Sequence, residues 1–142
     1  MSKKILALGS VVALFLSSGF ASAQVVEIQP VRIKQILGTK VAIQGNTAVG
    51  IIDDVVLDDQ GQIEYVIVNN EGKMVTVPWS AAKWDLQQRS ATINLTQQQY
   101  QAIPTYTVQQ YPNFYAPTYR TETYKVYGLT PREIRRIERR NP

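Results

Sequence analysis

The 142-residue chain contains no cysteine and no histidine. Without cysteine no disulfide can restrain the unfolded chain, so stability has to come from a buried core and its hydrogen bonds. Without histidine the chain lacks the usual general base at neutral pH and the commonest metal ligand. Both absences weigh against an enzyme, and we predict no catalytic residue, no metal ligand and no cofactor.

Long apolar runs are scarce, and the one that exists stands near the start. Lys3 and Lys4 precede a mostly apolar stretch from Ile5 to Phe20, which ends at Ala21-Ser22-Ala23. That order is typical of a cleavable secretory signal peptide. A membrane anchor is the alternative, but a spanning helix needs about 20 apolar residues, and glycines and serines interrupt this run. We therefore expect residues 1–23 to be removed and the mature protein to be periplasmic or secreted from a bacterium.

Net charge is low for a nucleic-acid-binding protein. Removing Lys3 and Lys4 with the signal segment lowers the formal net charge from +4 to +2, so we do not expect a nucleic-acid partner. The remaining positive charge is concentrated at the carboxyl end. The sequence does not indicate an oligomeric state.

Residues 30–104 read as a small β-rich domain. Apolar, β-branched runs are separated by short turns at 44–46, 58–61 and 69–72, each of which contains glycine. Turns this short connect antiparallel strands, and three consecutive hairpins usually curl into a small barrel or sandwich. A further strand from Ala91 to Leu95 is expected to close it. Since alternate residues of 63–68 present apolar side chains to both faces, we expect a closed barrel.

Two capping boxes predict helices. Thr96 with Gln99 starts a short helix that ends near Ile103, because Pro104 disfavours helical backbone in the residue before it. Thr130 with Glu133 starts a second helix in the basic segment 129–142, where Pro131 suits the first helical position.

The segment 105–128 has a composition of its own. Seven of the eight tyrosines lie between Tyr100 and Tyr127, mixed with glutamines and prolines and with few aliphatic residues. Such a segment cannot form its own core. It is either an irregular arm laid on the barrel or a disordered linker, and the sequence favours neither.

The β-rich region resembles the PRC-barrel domain, a small module found in the photosynthetic reaction centre H subunit and in a ribosome maturation factor. The resemblance is carried by residues 36–41, 49–58, 66–68 and 75–80, together with the Gly61 turn and the closing segment 95–104, and it covers roughly 70 of the 142 residues. It implies a fold and a tendency to dock onto partners, with no shared catalytic residues. Because export would keep this chain away from ribosomes, that partner is not expected here.

The clustered carboxylates and the large aromatic residues are better explained by structural roles than by metal binding, catalysis or ligand binding. The carboxylates Asp53, Asp54, Asp58, Asp59 and Glu64 lack the spacing of a calcium loop, and no cleft is evident for glycoside hydrolysis. Large aromatics at the end of a barrel strand are more often core residues than a ligand platform.

We therefore expect a non-enzymatic interaction module that docks to a protein partner in the cell envelope. Contact between the basic tail and an anionic membrane surface is a further expectation. Two alternatives stay open, a structural or stress-related envelope protein without a single partner and, less favoured, a small hydrolase. The candidate partner-contacting residues are aromatic or carry a guanidinium group: Trp79, Trp84, Tyr111, Tyr115, Tyr119, Arg132, Arg135, Arg136, Arg139 and Arg140.

Overall fold

The structure, a computed structural model, describes residues 30–133. The predicted signal peptide and the tail from residue 134 onward therefore lie outside the described residues.

The described residues form one six-stranded sheet with short helices. The strands are β1 (Lys40–Ile43), β2 (Thr47–Leu57), β3 (Ile63–Asn70), β4 (Lys73–Pro78), β5 (Ala82–Asp85) and β6 (Ser90–Ile93). The helices are α1 (Ile33–Ile36), α2 (Gln97–Gln101) and α3 (Pro117–Val126). The sheet order is β4-β3-β2-β1-β6-β5, so the predicted mainly β class is confirmed.

Strand pairing follows the turns seen in the sequence. β1–β2, β2–β3 and β3–β4 pair antiparallel as expected. β6 pairs parallel with β1, and β5, which the sequence pattern did not indicate, pairs antiparallel with β6. Within residues 30–133 the edge strands β4 and β5 are not paired with each other. The expected closure by strand pairing is therefore wrong.

The two faces of β3 and β4 are buried by different parts of the chain. The inner face carries Val66, Val68, Val75 and Val77, which pack in the main core with apolar residues of β1, β2 and β6. The opposite face carries Tyr65, which is fully buried. That second face is covered by the segment 105–128, which is hereafter called the arm.

The arm is ordered against the sheet, so of the two alternatives the sequence left open, the structure supports the first. Tyr106 and Met74 exchange two backbone hydrogen bonds, N–H to O, of 2.7 and 3.1 Å, which extends the sheet beyond β4. The arm is not irregular throughout, because α3 lies within it. Pro117 begins that helix at the position proline favours.

The chain leaves α3 through a glycine turn. Gly128 has a φ of 70°, its N–H bonds to the Lys125 carbonyl, and the Leu129 N–H bonds to the Tyr124 carbonyl. This pairing is the Schellman arrangement that ends many helices. Pro131–Glu133 are not helical, so a helix does not begin at Pro131, and the rest of the predicted tail helix lies outside the described residues.

The short helix α2 begins as the sequence predicted. The Gln99 N–H bonds to the Thr96 hydroxyl at 3.2 Å, and the Thr96 N–H bonds to the Gln99 side chain at 3.0 Å. In the part of the chain that the structure describes, no helix has the length and apolar character needed to cross a bilayer.

Gly50 in β2 allows a close approach between two strands. It has a φ of 144°, and a Cβ atom at this position would lie 2.5 Å from the Asn69 carbonyl oxygen. Gly61 also has a positive φ, of 76°, but a Cβ there would meet no atom within 4 Å. Of these two glycines, Gly50 is therefore the one that both backbone conformation and space constrain.

We predict that Gly50→Ala lowers the free energy of unfolding by about 3 kcal/mol or more, because strain and steric overlap act together. Gly61→Ala, the matched control, should cost only about 1 kcal/mol of backbone strain. Urea unfolding followed by circular dichroism measures both. Equal losses of unfolding free energy in the two variants would contradict the close approach at Gly50.

Candidate functional site

The arm packs on the sheet through a cluster of aromatic rings. Successive ring centroids are separated by 5.7 to 6.4 Å, mostly in tilted or edge-to-face contacts. The rings belong to Tyr65 of β3 and to Tyr106, Tyr111, Phe114, Tyr119 and Tyr124 of the arm. Such pairs add to the stability gained from area burial, so the arm acts as a second layer over the sheet.

Three tyrosine hydroxyl groups converge on Thr76, which is 3% exposed on β4. Tyr119 donates a 2.7 Å hydrogen bond to the Thr76 hydroxyl, and the Tyr106 hydroxyl lies 2.7 Å from the same oxygen. Tyr127 donates to the Thr76 carbonyl at 2.7 Å. Burial raises the pKa of Tyr106 and of Tyr119, and raises that of Tyr127 well above its ordinary value. These phenols therefore stay neutral hydrogen-bonding groups near pH 7.

A groove of about 450 Å³ opens above this hydroxyl cluster. Its walls are Ile103, Pro104, Tyr106, Pro112, Val126 and Tyr127, with Tyr119 and Thr76 at its base and Glu122 and Thr123 on α3. This volume lies within the range of ligand pockets. The groove combines apolar walls with a small number of convergent polar groups, as binding sites commonly do.

A buried ion pair fixes α3 to strand β3 of the sheet. Glu64 lies at a register shift in β3, where Tyr65 pairs with Val56 but Ile63 pairs with Leu57. Such bulges redirect side chains. The Glu64 carboxylate accepts hydrogen bonds from the Arg120 guanidinium and, at 2.8 Å, from the Tyr124 hydroxyl. The Arg120 and Glu64 side chains are 6% and 5% exposed.

A second, wider cleft of about 1020 Å³ lies beside this ion pair. Arg132 bonds to Asp58 at 2.9 Å and to Asp59 at 3.1 Å. Burial raises the pKa of Asp58, but the backbone N–H groups of Gln62 and Gln60, together with Arg132, outweigh this and hold the pKa below its ordinary value. Asp58 and Asp59, two of the carboxylates that line this cleft, are therefore both held by internal partners.

The structure brings together some of the residues singled out in the sequence. Trp79 and Trp84 stack with centroids 4.2 Å apart, and Trp84 Nε1 donates to the Trp79 carbonyl. Both pack against the core, which agrees with the structural interpretation. Tyr111, Tyr115 and Tyr119 all lie in the arm, but only Tyr119 lines the groove. Arg135, Arg136, Arg139 and Arg140 lie outside the described residues.

Sequence reasoning assigned no functional role to the groups at the centre of the hydroxyl cluster and of the buried ion pair. Thr76 and Glu64 lie within apolar strands, and neither Arg120 nor Tyr127 belongs to a recognisable sequence motif. A signal for Glu64 did exist, because a carboxylate in an otherwise apolar strand needs a cationic or hydrogen-bonding partner. The sequence does not reveal which residue supplies it, since Arg120 lies 56 positions further along the chain.

Carboxylate side chains are the remaining candidates for metal ligands within residues 30–133. No group of three or more carboxylate side chains there converges as metal ligands would, and the chain contains neither histidine nor cysteine. The polar centre of the groove consists of hydroxyl groups, which suit a neutral organic ligand better than a metal ion.

Comparison with known proteins shows which family the β-sheet domain resembles. A family model described as the PRC-barrel domain matches residues 30–99. A solved structure of RimM from Pseudomonas aeruginosa, described as a 16S ribosomal RNA processing protein, is similar at 19% identity and a TM-score of 0.39. The match covers 49% of this chain and 46% of that one, so this chain spans less than half of that protein's length. No curated protein matches this chain.

We predict that Arg120→Met lowers the free energy of unfolding by about 3–5 kcal/mol, because it leaves the Glu64 carboxylate buried without its cation. Adding Glu64→Gln should recover about 1–2 kcal/mol, since the charge disappears while an acceptor for Tyr124 remains. Chemical denaturation of the two single variants and the double variant measures this coupling.

The matched control is Arg132→Met. Its side chain is 44% exposed, so losing its ion pairs should cost no more than about 1 kcal/mol. A further loss of stability on adding Glu64→Gln to Arg120→Met would show that the two residues are not coupled as the geometry indicates.

Proposed function

Residues 30–99 belong to the PRC-barrel domain family, and on that premise we propose that this chain is a non-enzymatic, exported interaction module that docks to a protein of the cell envelope. Docking takes place in the groove between the arm and β4. The barrel acts as the rigid support on which this groove is built.

One observation supports this proposal most directly. The arm uses its aromatic side chains to cover β3 and β4, yet it leaves an open groove with apolar walls over a hydroxyl base. Val126 at the groove is 39% exposed, and burying such an apolar side chain against a partner would be favourable. A groove on rigid elements is partly preorganised, which lowers the entropic cost of binding.

The chemistry of the described residues supports binding over catalysis. General acid–base catalysis needs a group that exchanges protons near the operating pH. The groove contains neutral tyrosines with raised pKa values and one carboxylate, Glu122. In the wider cleft, the Asp58 and Asp59 carboxylates are bonded to Arg132.

Two sequence features support an envelope location. The signal-like segment 1–23 would direct export, and if it were retained it would tether the barrel at the inner membrane. The arginine-rich tail would add contact with anionic surfaces, because guanidinium groups bind phosphate in two places. Arg132 is committed to Asp58 and Asp59 within the fold, so we assign the anionic contact to Arg135, Arg136, Arg139 and Arg140.

Photocrosslinking in intact cells tests docking at the groove. We predict that a photoreactive amino acid at position 126 of the full chain gives one dominant adduct in the envelope fraction. The same probe at Val108, which is 59% exposed and does not line the groove, should not give that adduct. Identical adduct patterns from both positions, or none from position 126, would favour a structural envelope protein without a single partner.

Vesicle flotation tests the tail. We predict that a chain ending at Glu133 keeps its stability but loses most of its binding to vesicles containing anionic phospholipid, and that salt weakens binding of the intact chain. The truncation point keeps Arg132, because its carbonyl accepts a hydrogen bond from buried Arg120. Equal flotation of the two chains would rule out this role of the tail.

A further inference from the structure

We propose that the groove binds a proline-rich segment of the partner in the polyproline II conformation, with an arginine or lysine next to its prolines. This inference rests on the proposed function and specifies its partner. Three properties of the groove carry it: the aromatic walls, a surplus hydroxyl donor at the base, and a single carboxylate at the side.

The walls match the shape of proline side chains. Tyr106, Tyr119 and Tyr127 supply aromatic rings, and Pro104 and Val126 supply apolar surface between the arm and α3. Aromatic-lined grooves bind polyproline II segments because the flat rings pack against pyrrolidine rings. Such a segment is already extended before it binds, so little conformational entropy is lost on docking.

One hydroxyl proton at the base of the groove is not used by the hydrogen bonds within the cluster. The hydroxyl groups of Tyr106, Tyr119 and Thr76 bring three protons, while the two contacts among them use only two. Because Tyr119 donates to Thr76, the remaining proton belongs to Tyr106 or to Thr76, and both residues line the groove. The backbone carbonyls of a polyproline II segment have no internal partners, and they are suitable acceptors for it.

The charge at the groove selects for a cation. Glu122 is exposed on α3, and of the residues that line the groove it is the one with a charged side chain. A second carboxylate, that of Asp54, lies close enough to contribute to the raised pKa of Tyr106. A basic residue in the ligand would meet attraction here, whereas an acidic residue would be repelled.

The size and rigidity of the groove also suit a polyproline II ligand. Polyproline II rises about 3.1 Å per residue, so a few residues would span a cavity of about 450 Å³. One wall is held in place by the buried contact between Arg120 of α3 and Glu64 of β3. The opposite wall is held by the Tyr106–Met74 bridge.

Fluorescence anisotropy with the full-length mature chain tests this inference. The probe is a fluorescein-labelled peptide of three Ala-Pro-Pro repeats followed by arginine. We predict saturable binding with a dissociation constant on the order of 10–100 µM. A peptide with every proline replaced by alanine should bind at least about tenfold more weakly, because it loses both the ring packing and the preformed conformation.

Matched variants locate the binding. Val126→Asn should weaken binding about tenfold or more, because it removes apolar surface without adding charge, whereas Val108→Asn, the same change outside the groove, should have no effect. Glu122→Gln should weaken binding of the arginine peptide about threefold and leave an alanine-ended peptide unchanged. Glu71→Gln, in the β3–β4 turn, is its control. Because Glu122 is exposed, its variant remains informative even if Val126→Asn perturbs the fold.

Failure of the inference can be told apart from failure of the proposed function. Absence of saturable binding, equal binding of the proline-free peptide, or insensitivity to both groove variants would overturn the proline-rich ligand. If position 126 still crosslinks to one envelope protein in that case, docking at the groove stands and the partner uses different chemistry. If neither crosslinking nor peptide binding occurs, both proposals fall.

Discussion

The buried contact between Arg120 and Glu64 is the interaction on which the arrangement of the rest depends. It joins two segments that are far apart in the sequence, and it lies where water cannot screen it. Charges buried in this way contribute little net stability compared with apolar side chains of similar volume, but separating them is costly. We infer that the pair specifies one position of α3 on the sheet. The Tyr124 hydroxyl and the Arg132 carbonyl complete its hydrogen bonding.

The local features of the fold could be read from the sequence. The three hairpins follow from short glycine-containing turns between β-branched runs, and α2 follows from the Thr96–Gln99 capping box. The helix α3 was harder to recognise, because its two buried residues, Arg120 and Tyr124, are polar or amphipathic. Its boundaries nevertheless carried a signal, with Pro117 at the start and Gly128 just past the end. The strand β5 is short and contains Lys83 and Asp85, so its sequence resembles that of a turn and does not indicate a strand.

Burial of both faces of β3 was predicted correctly, but for the wrong reason. Apolar residues on both faces suggested a sheet closed on itself, whereas the second face is covered by the arm. A one-dimensional pattern shows that a face is covered and not what covers it. The same limit applies to the candidate site: the density of tyrosines pointed to the arm, while their convergence on Thr76 arises only from folding. Arg132, expected to face a partner, bonds within the chain.

The backbone bridge between Tyr106 and Met74 has a consequence for the behaviour of the protein at high concentration. An unpaired strand edge is a template on which other chains can add, and β3 and β4 are rich in the β-branched residues that favour such growth. The bridge occupies part of the β4 edge. At the other edge, β5 is only four residues long and carries charged side chains. A protease cut that released the arm would therefore convert a binding module into a seed for aggregation.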